Sequence, residues 1–591
     1  MKIFKPSLII FLLIFSFQFS KISLANVINE NKKKELDYVS NIDSLFKYFR
    51  IIDINRLKIP IKNNGVLSDF TVPIFHYNFP DQFDENNIIY SGGFFLTGKN
   101  NEQIWANGVA TSSRILDYVS GKVGSNPADS LNIIYVVKSS DPPFGKSWQE
   151  YRNAVLLGAE FYDGDNDGKY DPVDKNLNGK WDLNEDRPLI LGDYTAWFVI
   201  NDGMASQNRR FQSMFPFGIE IQQTVFAVGD SSSPLYNTIF FRYKIINRGT
   251  VNAILDSVYF LFWADADISD YQDDLIGSDS VLNAVFTYNK DSDRWYGHNP
   301  PAVSLVMLQG PVVYLPGETF IDVNSNGIYN AGIDIPFDTA KVNLGFLGVK
   351  KFFGAKNQSV KTLFYYINSN PPILNDPHNV LDAWNYARGL NKRATYINPC
   401  EWAYGSVFEY PCNLVNPIYI FSGDPVSRIG WIDTTGTDVR MFVSTGPFKL
   451  ELNEPAEMWF AIVAGRGESR LSSVNVLKQN INEARKFYLM NFGYPDQGNN
   501  NGIIKDFRLY QNYPNPFNSE TTIKFLNPEK QFITLKVYDI LGREIKTLVD
   551  GTLEANEYSV KFKAENLSSG IYIYELRSGK NAQAKKMVYI K

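Results

Sequence analysis

The last eighty or so residues of the chain contain several short runs in which polar and apolar side chains alternate, separated by turn residues. The runs lie at 521–525, 534–538, 557–562 and 571–576. Alternation with a period of two is typical of strands with one buried face, and turn signals at this spacing are typical of small antiparallel sandwiches. The sequence therefore predicts an Ig-like β-sandwich of about seven short strands over residues 506–591.

The same segment carries three motifs in a fixed order. It opens with Tyr513-Pro514-Asn515-Pro516-Phe517-Asn518, continues through the turn glycines Gly542 and Gly570, and ends near the pair Lys585-Lys586. In this order the motifs resemble the C-terminal (type A) sorting domain of type IX (Por) secretion cargo from Bacteroidetes- and Chlorobi-type bacteria. The resemblance implies that the type IX secretion machinery is a partner, and that the protein is secreted or lies at the outer-membrane surface. The alternative is an ordinary Ig-like module without a sorting role.

The N-terminus has the pattern of a secretory signal peptide. Lysines precede an apolar run at 8–15, and Ser23-Leu24-Ala25 offers a cleavage site of small residues. We therefore predict a signal peptide at 1–25, followed by a polar leader of little structure at 26–40. No later stretch reaches about 18 uninterrupted apolar residues, so no transmembrane span is expected in the mature chain.

Between these ends the sequence predicts one large body at 41–491, followed by a linker at 492–505 that is rich in Gly, Asn and Pro. Of 591 residues, 44% are hydrophobic and 15% aromatic, a composition typical of a folded, sheet-rich protein. The predicted fold class is mainly β: a large β-sandwich-rich body with a few helices, plus the small C-terminal sandwich. The net charge is −5 and no basic stripe is present, so nucleic acid is not expected as a partner.

Apolar runs predict strands in the body, for example at 238–247, 257–263 and 456–464. Three helices are also predicted. The first begins with a capping box of Ser147 and Glu150. The second starts at Asp376-Pro377 and ends at Gly389, and the third starts at Ser472 or Ser473.

Three acidic loops carry the pattern with the clearest chemical mechanism. Each has Asp or Asn at positions 1, 3 and 5 and Gly at position 6, which is the opening half of an EF-hand-type calcium loop. The first begins at Asp163 and has Asp174 at position 12. Asp174 also begins the second, which has Glu185 at position 12, and the third begins at Asp322. The predicted ligands are Asp163, Asp165, Asp167, Asp171, Asp174, Asn176, Asn178, Asp182, Glu185, Asp322, Asn324, Asn326 and Asp334.

Carboxylate and amide oxygens suit Ca²⁺, so a structural calcium ion is the expected cofactor. The alternative is that Asp, Asn and Gly simply form turns at these places. Two abutting copies favour calcium at 163–185, whereas for the third copy both interpretations stay open. Extracellular loops of this kind bind Ca²⁺ with dissociation constants on the order of 10⁻⁴–10⁻³ M.

A fourth acidic run directly follows the strand that is predicted to end at Trp263. Its members are Asp265, Asp267, Asp270, Asp273, Asp274 and Asp279. Three interpretations are open: a further cation site, a carboxylate pair in a carbohydrate-active cleft, or a solvated acidic loop. The sequence favours the solvated loop.

The two cysteines, Cys400 and Cys412, lie twelve residues apart. In an exported protein this spacing favours a local disulfide. Two buried free thiols are the alternative, and no His or third Cys nearby supports a metal site.

Enzyme signatures are absent from the sequence. It contains no HExxH motif, no G-x-S-x-G elbow and no phosphate-binding Gly loop. Two hypotheses remain. The favoured one is a non-catalytic, calcium-stabilised module that binds extracellular glycan or cell-surface material, and the other is a secreted polysaccharide hydrolase with paired carboxylates.

Several body motifs recur in large uncharacterised cargo proteins of the type IX route. They include Phe421-Ser422-Gly423-Asp424-Pro425 and Ser444-Thr445-Gly446-Pro447-Phe448. This resemblance extends over about 61–477. It implies that the body is one recurring module, and it implies no activity.

Overall fold

The computed structural model describes residues 48–69, 88–109, 117–211, 214–293, 295–368, 371–494, 507–512, 514–554, 556–565, 567–579 and 581–591. The predicted signal peptide, the leader, most of the predicted linker and Tyr513 lie outside these residues. The chain divides into two compact units, Met1–Gln497 and Gly498–Lys591. Within the described part of the chain, every helix is too short or too polar to span a membrane.

The first unit is built mainly from strands. In chain order they are β1 (Phe49–Ile52), β2 (Ile59–Lys62), β3 (Leu67–Asp69), β4 (Ser91–Asn100), β5 (Gln103–Gly108), β6 (Val119–Ser120), β7 (Tyr135–Lys138), β8 (Phe161–Tyr162), β9 (Arg187–Pro188), β10 (Tyr194–Asn201), β11 (Ile219–Ala227), β12 (Thr238–Asn247), β13 (Ile254–Asp265), β14 (Asp274–Asp279), β15 (Ala284–Asn289), β16 (Ala302–Gln309), β17 (Val312–Val313), β18 (Phe320–Ile321), β19 (Ile335–Pro336), β20 (Thr339–Asn343), β21 (Val349–Phe353), β22 (Lys356–Asn357), β23 (Val360–Ile367), β24 (Gly405–Phe408), β25 (Gly430–Asp433), β26 (Val439–Glu451) and β27 (Pro455–Gly465). The helices are α1 (Lys146–Leu157), α2 (Val380–Ala387) and α3 (Arg470–Leu489).

Two large antiparallel sheets form this unit. One has the order β1-β2-β3-β4-β13-β26-β23 with β5 beside β4, and the other has the order β14-β15-β16-β27-β12-β11-β10-β6 with β7 beside β10. Their inner faces meet in an aromatic core, in which the ring centroid of Tyr243 lies 4.8 Å from that of Phe260. Phe262 and Phe460 also meet across the sheets, at 5.2 Å. The predicted mainly β, sandwich-rich fold is confirmed.

The second sheet is covered on both of its faces. Its outer face packs against α3, for example where Trp459 and Ile481 share one core cluster, and against α1 through Trp148. Every residue of β10 and β11 is consequently buried. Strands buried on both faces lose the alternation of a half-exposed strand. β10 accordingly has an apolar run at 196–200, whereas β11 keeps the polar residues Glu220, Gln222 and Gln223 among its buried positions.

The three predicted helices are present, but their first residues differ from the prediction. α1 follows Gly145, which makes no side-chain cap, so the predicted capping box is wrong. The side chain of Asn379 caps α2, and Ser469 caps α3 in a reciprocal box with Ser472. Several Ser, Asp and Asn residues precede each helix and all are good caps, so the sequence alone does not select among them.

The body extends beyond the point where the linker was predicted to begin. Phe492 is 3% exposed, and its ring centroid lies 4.8 Å from that of Trp459. The segment up to Tyr494 therefore belongs to the body.

Elsewhere in this unit, a disulfide joins Cys400 to Cys412 with an S–S distance of 2.03 Å.

The second unit is a small sandwich. Its strands are β28 (Arg508–Leu509), β29 (Glu520–Asn527), β30 (Gln531–Asp539), β31 (Glu544–Leu553), β32 (Asn556–Lys563), β33 (Gly570–Ser578) and β34 (Asn581–Tyr589). They form the sheets β28-β29-β32 and β31-β30-β33-β34, and the core between them includes Phe517, Leu535 and Met587. Burial alternates along β30, as predicted for a strand with one buried face.

The two ends of the sorting motif meet in this sandwich. Phe517 donates its N–H to the carbonyl of Val588 at 3.0 Å and accepts the N–H of Ile590 at 2.9 Å. Asn515 Oδ1 accepts the N–H of Val588 at 2.7 Å. The opening motif is therefore paired with the last strand of the chain.

Candidate calcium loops, acidic cluster and groove

The three acidic loops, 163–174, 174–185 and 322–334, share one backbone arrangement. In each, the Asp at position 1 accepts the N–H of the Gly at position 6: Gly168 to Asp163 at 2.8 Å, Gly179 to Asp174 at 2.7 Å and Gly327 to Asp322 at 2.6 Å. The three glycines have φ of 77°, 72° and 75°, a left-handed conformation that favours Gly. The left-handed backbone at position 6 therefore explains why all three loops have Gly there.

A closing carboxylate completes each loop by accepting two backbone N–H groups, those of positions 2 and 9. In the second loop Glu185 accepts from Lys175 at 2.7 Å and from Asp182 at 2.9 Å. In the third loop Asp334 accepts from Val323 at 2.9 Å and from Asn330 at 2.6 Å. These carboxylates are buried, whereas most of the predicted ligands at positions 3 and 5 are exposed.

In the first loop the closing residue is Asp186, which was not among the ligands predicted from the sequence. Asp186 accepts the N–H of Gly164 at 2.9 Å and that of Asp171 at 2.6 Å. Asp174, predicted at position 12 of this loop, instead begins the second loop, which is inserted before the first one closes. A search for an acidic residue directly after the nested copy would have found Asp186.

Electrostatics at the first loop place negative charges close together. Carboxylate oxygens of Asp163, Asp165 and Asp186 lie within 4.8 Å of one another. Burial raises the pKa of Asp186, and the charges of Asp165 and Asp163 raise it further against the lowering effect of its hydrogen bonds. Lys175 Nζ lies 2.7 Å from Asp165 Oδ2 and offsets part of this repulsion. An all-oxygen donor set of this kind fits Ca²⁺.

The structure does not bring all predicted ligands to the loop centres. Asp171 pairs with Arg152 of α1 at 2.5 Å. Within the second loop, Asp182 Oδ2 accepts hydrogen bonds from the side-chain amides of Asn176 and Asn178, both at 2.8 Å. In the third loop, Asn330 occupies the place of Asp182 and accepts from Asn324 and Asn326 at 2.9 and 2.8 Å.

The fourth acidic run was predicted to be a solvated loop, and this is wrong for several of its members. Asp265 ends β13 at 1% exposure, and Asp274 starts β14 with no exposed surface. Burial raises the pKa of both well above the ordinary range. Burial and the charge of Asp438 raise the pKa of Asp267 to about 7. Asp270, by contrast, is exposed.

A groove of about 550 Å³ lies beside the second loop, which contributes Trp181 to its lining. Its apolar lining includes Trp148, Trp181 and Tyr494, and its polar lining includes Asp141 and Asp193. Trp181 is at position 8 of the second loop and donates from Nε1 to the Glu185 carbonyl at 2.9 Å. The acidic loops therefore position part of the groove wall.

Four other tryptophans expose no ring surface that a ligand could contact. Trp105, Trp263, Trp431 and Trp459 are fully buried in the core. The carboxyl groups with strongly raised pKa, Asp265, Asp267 and Asp274, do not line this groove.

Comparison with known families identifies the C-terminal unit. Residues 511–591 match the family described as the secretion system C-terminal sorting domain, Por_Secre_tail. The chain therefore carries the sorting tail of type IX secretion cargo, as the motifs predicted. The protein is secreted or exported to the cell surface, and the type IX machinery is its partner.

Comparisons over the whole chain are weak. A polysaccharide lyase is 8% identical with a TM-score of 0.25, covering 92% of this chain and 46% of that one. Dimeric latent PorU from Porphyromonas gingivalis is 9% identical with a TM-score of 0.14, covering 67% of this chain and 31% of that one. The chain thus spans less than half the length of either structure, and neither similarity carries an argument. A comparison with curated proteins finds no match.

Proposed function

We propose that the exported body is a calcium-stabilised binding module, in which each acidic loop holds one Ca²⁺. The observation that carries this proposal is the shared closing carboxylate. It accepts the N–H groups of positions 2 and 9 in all three loops, although it lies 22, 10 and 11 residues after position 2. Three different spacings thus lead to one arrangement of oxygens.

Each ion would be held by side-chain oxygens near the loop start and by the closing carboxylate. In the first loop these residues are Asp163, Asp165 and Asp186. The ion supplies positive charge among groups that otherwise repel one another. Mg²⁺ fits less well because it keeps several waters and takes fewer protein ligands.

The groove beside Trp181 is the proposed ligand site, and carbohydrate is the proposed ligand class. Aromatic side chains provide apolar surface for a sugar ring, and the carboxylates of Asp141 and Asp193 and the hydroxyl of Ser139 provide hydrogen-bonding groups in the lining. Because Trp181 belongs to the second loop, calcium binding would fix the position of this wall.

A hydrolase would place a proton-donating carboxyl group in the groove, beside a second carboxylate. The carboxyl groups with strongly raised pKa lie elsewhere, so no specific observation favours hydrolysis.

Thermal unfolding of the full chain in EDTA, in Ca²⁺ and in Mg²⁺ tests the calcium proposal. Saturation of a site at a hundredfold excess over its dissociation constant stabilises the folded state by about 2.7 kcal/mol. We expect a midpoint higher by several degrees in Ca²⁺ than in EDTA, with a smaller rise in Mg²⁺. An equal midpoint of thermal unfolding in EDTA and in Ca²⁺ would refute the calcium proposal.

A glycan and polysaccharide screen on the full chain tests the groove. We expect Trp181→Ala to weaken binding at least tenfold, about 1.4 kcal/mol. Trp295→Ala is the matched control, because Trp295 is 46% exposed and does not line the groove. An equal loss of glycan affinity in both variants would refute the groove as the ligand site. Release of new reducing ends from a polysaccharide would favour the hydrolase.

A further inference from the structure

A row of polar side chains crosses the first sheet where β13 ends. Asp265 is paired with Ser91 of β4 on one side and with Arg440 of β26 on the other. Residues directly opposite one another in antiparallel strands point to the same face with Cβ atoms about 5 Å apart. Ser91 and Asp265 are almost completely buried, so this row lies inside the protein.

Three carboxylates gather around this row. Oxygens of Asp265, Asp267 and Asp438 lie within 4.8 Å of one another. Arg440 Nη2 lies 2.9 Å from Asp265 Oδ2, and Nη1 of the same guanidinium pairs with Asp438. One guanidinium therefore pairs with two of the three carboxylates. Farther out, Asp376 adds a negative charge and Arg210 a positive one.

Several oxygens at this place have no hydrogen-bond donor within the described part of the chain. They are Ser91 Oγ, Asp265 Oδ1, Asp267 Oδ1 and Asp274 Oδ1. Asp274 is wholly buried, and its other oxygen accepts the N–H of Ile268 at 3.2 Å, which places it beside Asp267. Ser91 and Asp274 are not members of the carboxylate triplet, so their unpartnered oxygens are observations separate from it, although Nε of Arg440 also has no partner there. A buried acceptor without a donor is costly, and a buried carboxylate more so.

We propose that Asp265, Asp267 and Asp438 form a fourth calcium site, with Ser91 and Asp274 as additional oxygen donors. The donor set consists of oxygens alone, without His or Cys, and therefore suits a hard cation. The ion joins β13, β26 and the segment that leads to β14, which are far apart in sequence. This site is separate from the three loops, and it does not depend on whether they bind calcium.

The test compares calcium stoichiometry in the full chain and in two variants. Asp267→Asn removes one charge from the triplet, and Asp270→Asn is the matched control, because Asp270 belongs to the same acidic run but is exposed. We expect Asp267→Asn to bind one Ca²⁺ fewer per chain than the unmodified protein in equilibrium dialysis, and Asp270→Asn to bind the same number. Identical stoichiometry in all three proteins would overturn the proposal.

A second measurement keeps the proposal testable if Asp267→Asn does not fold. Crystals of the unmodified protein grown with Tb³⁺ in place of Ca²⁺ should show an anomalous peak between Asp265, Asp267 and Asp438. The absence of that peak, with peaks present at the loops, would overturn this site and leave the loop proposal intact. The reverse pattern would support this site and count against the loops.

Discussion

The carboxylate of Asp186 accepts a hydrogen bond of 2.6 Å from the backbone N–H of Asp171, which lies fifteen residues earlier in the chain. The second acidic loop lies between these two residues. Two neighbouring residues, Glu185 and Asp186, therefore close two different loops. Because the second loop lies inside the first, substitutions at the adjacent positions 185 and 186 can impair one loop at a time.

Asp186→Asn and Glu185→Gln should each weaken one calcium site and spare the other. Each substitution keeps the side-chain size, removes a charge and turns one acceptor oxygen into an amide group that faces a backbone N–H. We expect the affinity of the affected loop to fall at least about tenfold. Calorimetric titration with Ca²⁺ measures this, and each variant is the control for the other. Unchanged affinity in Asp186→Asn would refute its assignment as the closing residue.

The buried ion pair of Arg242 should contribute strongly to the stability of the body. Its side chain is 4% exposed and bridges Glu160 and Glu457. Arg242→Met leaves the buried Glu457 and the half-buried Glu160 without their main partner, so we expect the free energy of unfolding to fall by about 3–5 kcal/mol. Urea unfolding at neutral pH measures the change.

Lys99→Met is the control for that substitution. Lys99 pairs with Glu102 at 2.6 Å, and the Glu102 side chain is 86% exposed. An exposed pair contributes less than about 1 kcal/mol. Similar losses in both variants would contradict a special role for the buried pair.

The stability of the ion-free protein should fall as pH rises from about 4 to about 7. Burial and the charge of Asp438 raise the pKa of Asp267 from 3.8 to about 7, so in this window the folded state holds a proton that the unfolded state has released. Glu160 acts in the opposite direction. Burial tends to raise its pKa, but Arg242 lowers it below the ordinary 4.5, and its contribution is lost as pH falls below that value.

Thermal midpoints across this pH range, with EDTA and with Ca²⁺, check the prediction. In EDTA we expect the midpoint to decline between about pH 5 and about pH 7, and Asp267→Asn to reduce the decline. Saturating Ca²⁺ should also reduce it, because the ion favours the ionised carboxylates. A midpoint in EDTA that rises over the same range would contradict the assignment.

Export should depend on the pairing between the opening motif and the last strand of the tail. Asn515→Ala removes the acceptor of the Val588 N–H, a bond of 2.7 Å, and deletion of 587–591 also removes Met587 and Tyr589 from the tail core. In a host with a type IX secretion system, we expect the deletion to abolish surface delivery and Asn515→Ala to reduce it. Immunoblots of cell fractions measure both.

Lys586→Ala separates folding of the tail from recognition of its side chains. The Lys586 side chain is exposed, and its backbone carbonyl still accepts from Gln511 at 2.7 Å after the substitution. Normal delivery of Lys586→Ala beside failed delivery of the deletion is the expected pattern. Normal delivery of the deletion would contradict a role for the last strand.

Local features could be predicted well from the sequence. The tail strands have one exposed face, so their alternation shows directly in the residue order, and the sorting domain follows from contiguous motifs. The loop starts are equally local, because Asp163, Asp174 and Asp322 bond to glycines five residues later. β10 and β11 are buried at every residue on both faces, so the residue order alone did not indicate what covers them.

The sequence by itself determined the sorting tail, the β-rich fold class and the first residues of the acidic loops, because each depends on residues within about a dozen positions. Only the tertiary structure decided which carboxylate closes the first loop and which acidic residues are buried. Asp438 reaches Asp265 and Asp267 because β13 and β26 are paired, and Trp181 faces a groove because a loop places it there. Hydrogen bonds and charge interactions act over a few ångströms in space, and only the fold determines which distant residues come within that range.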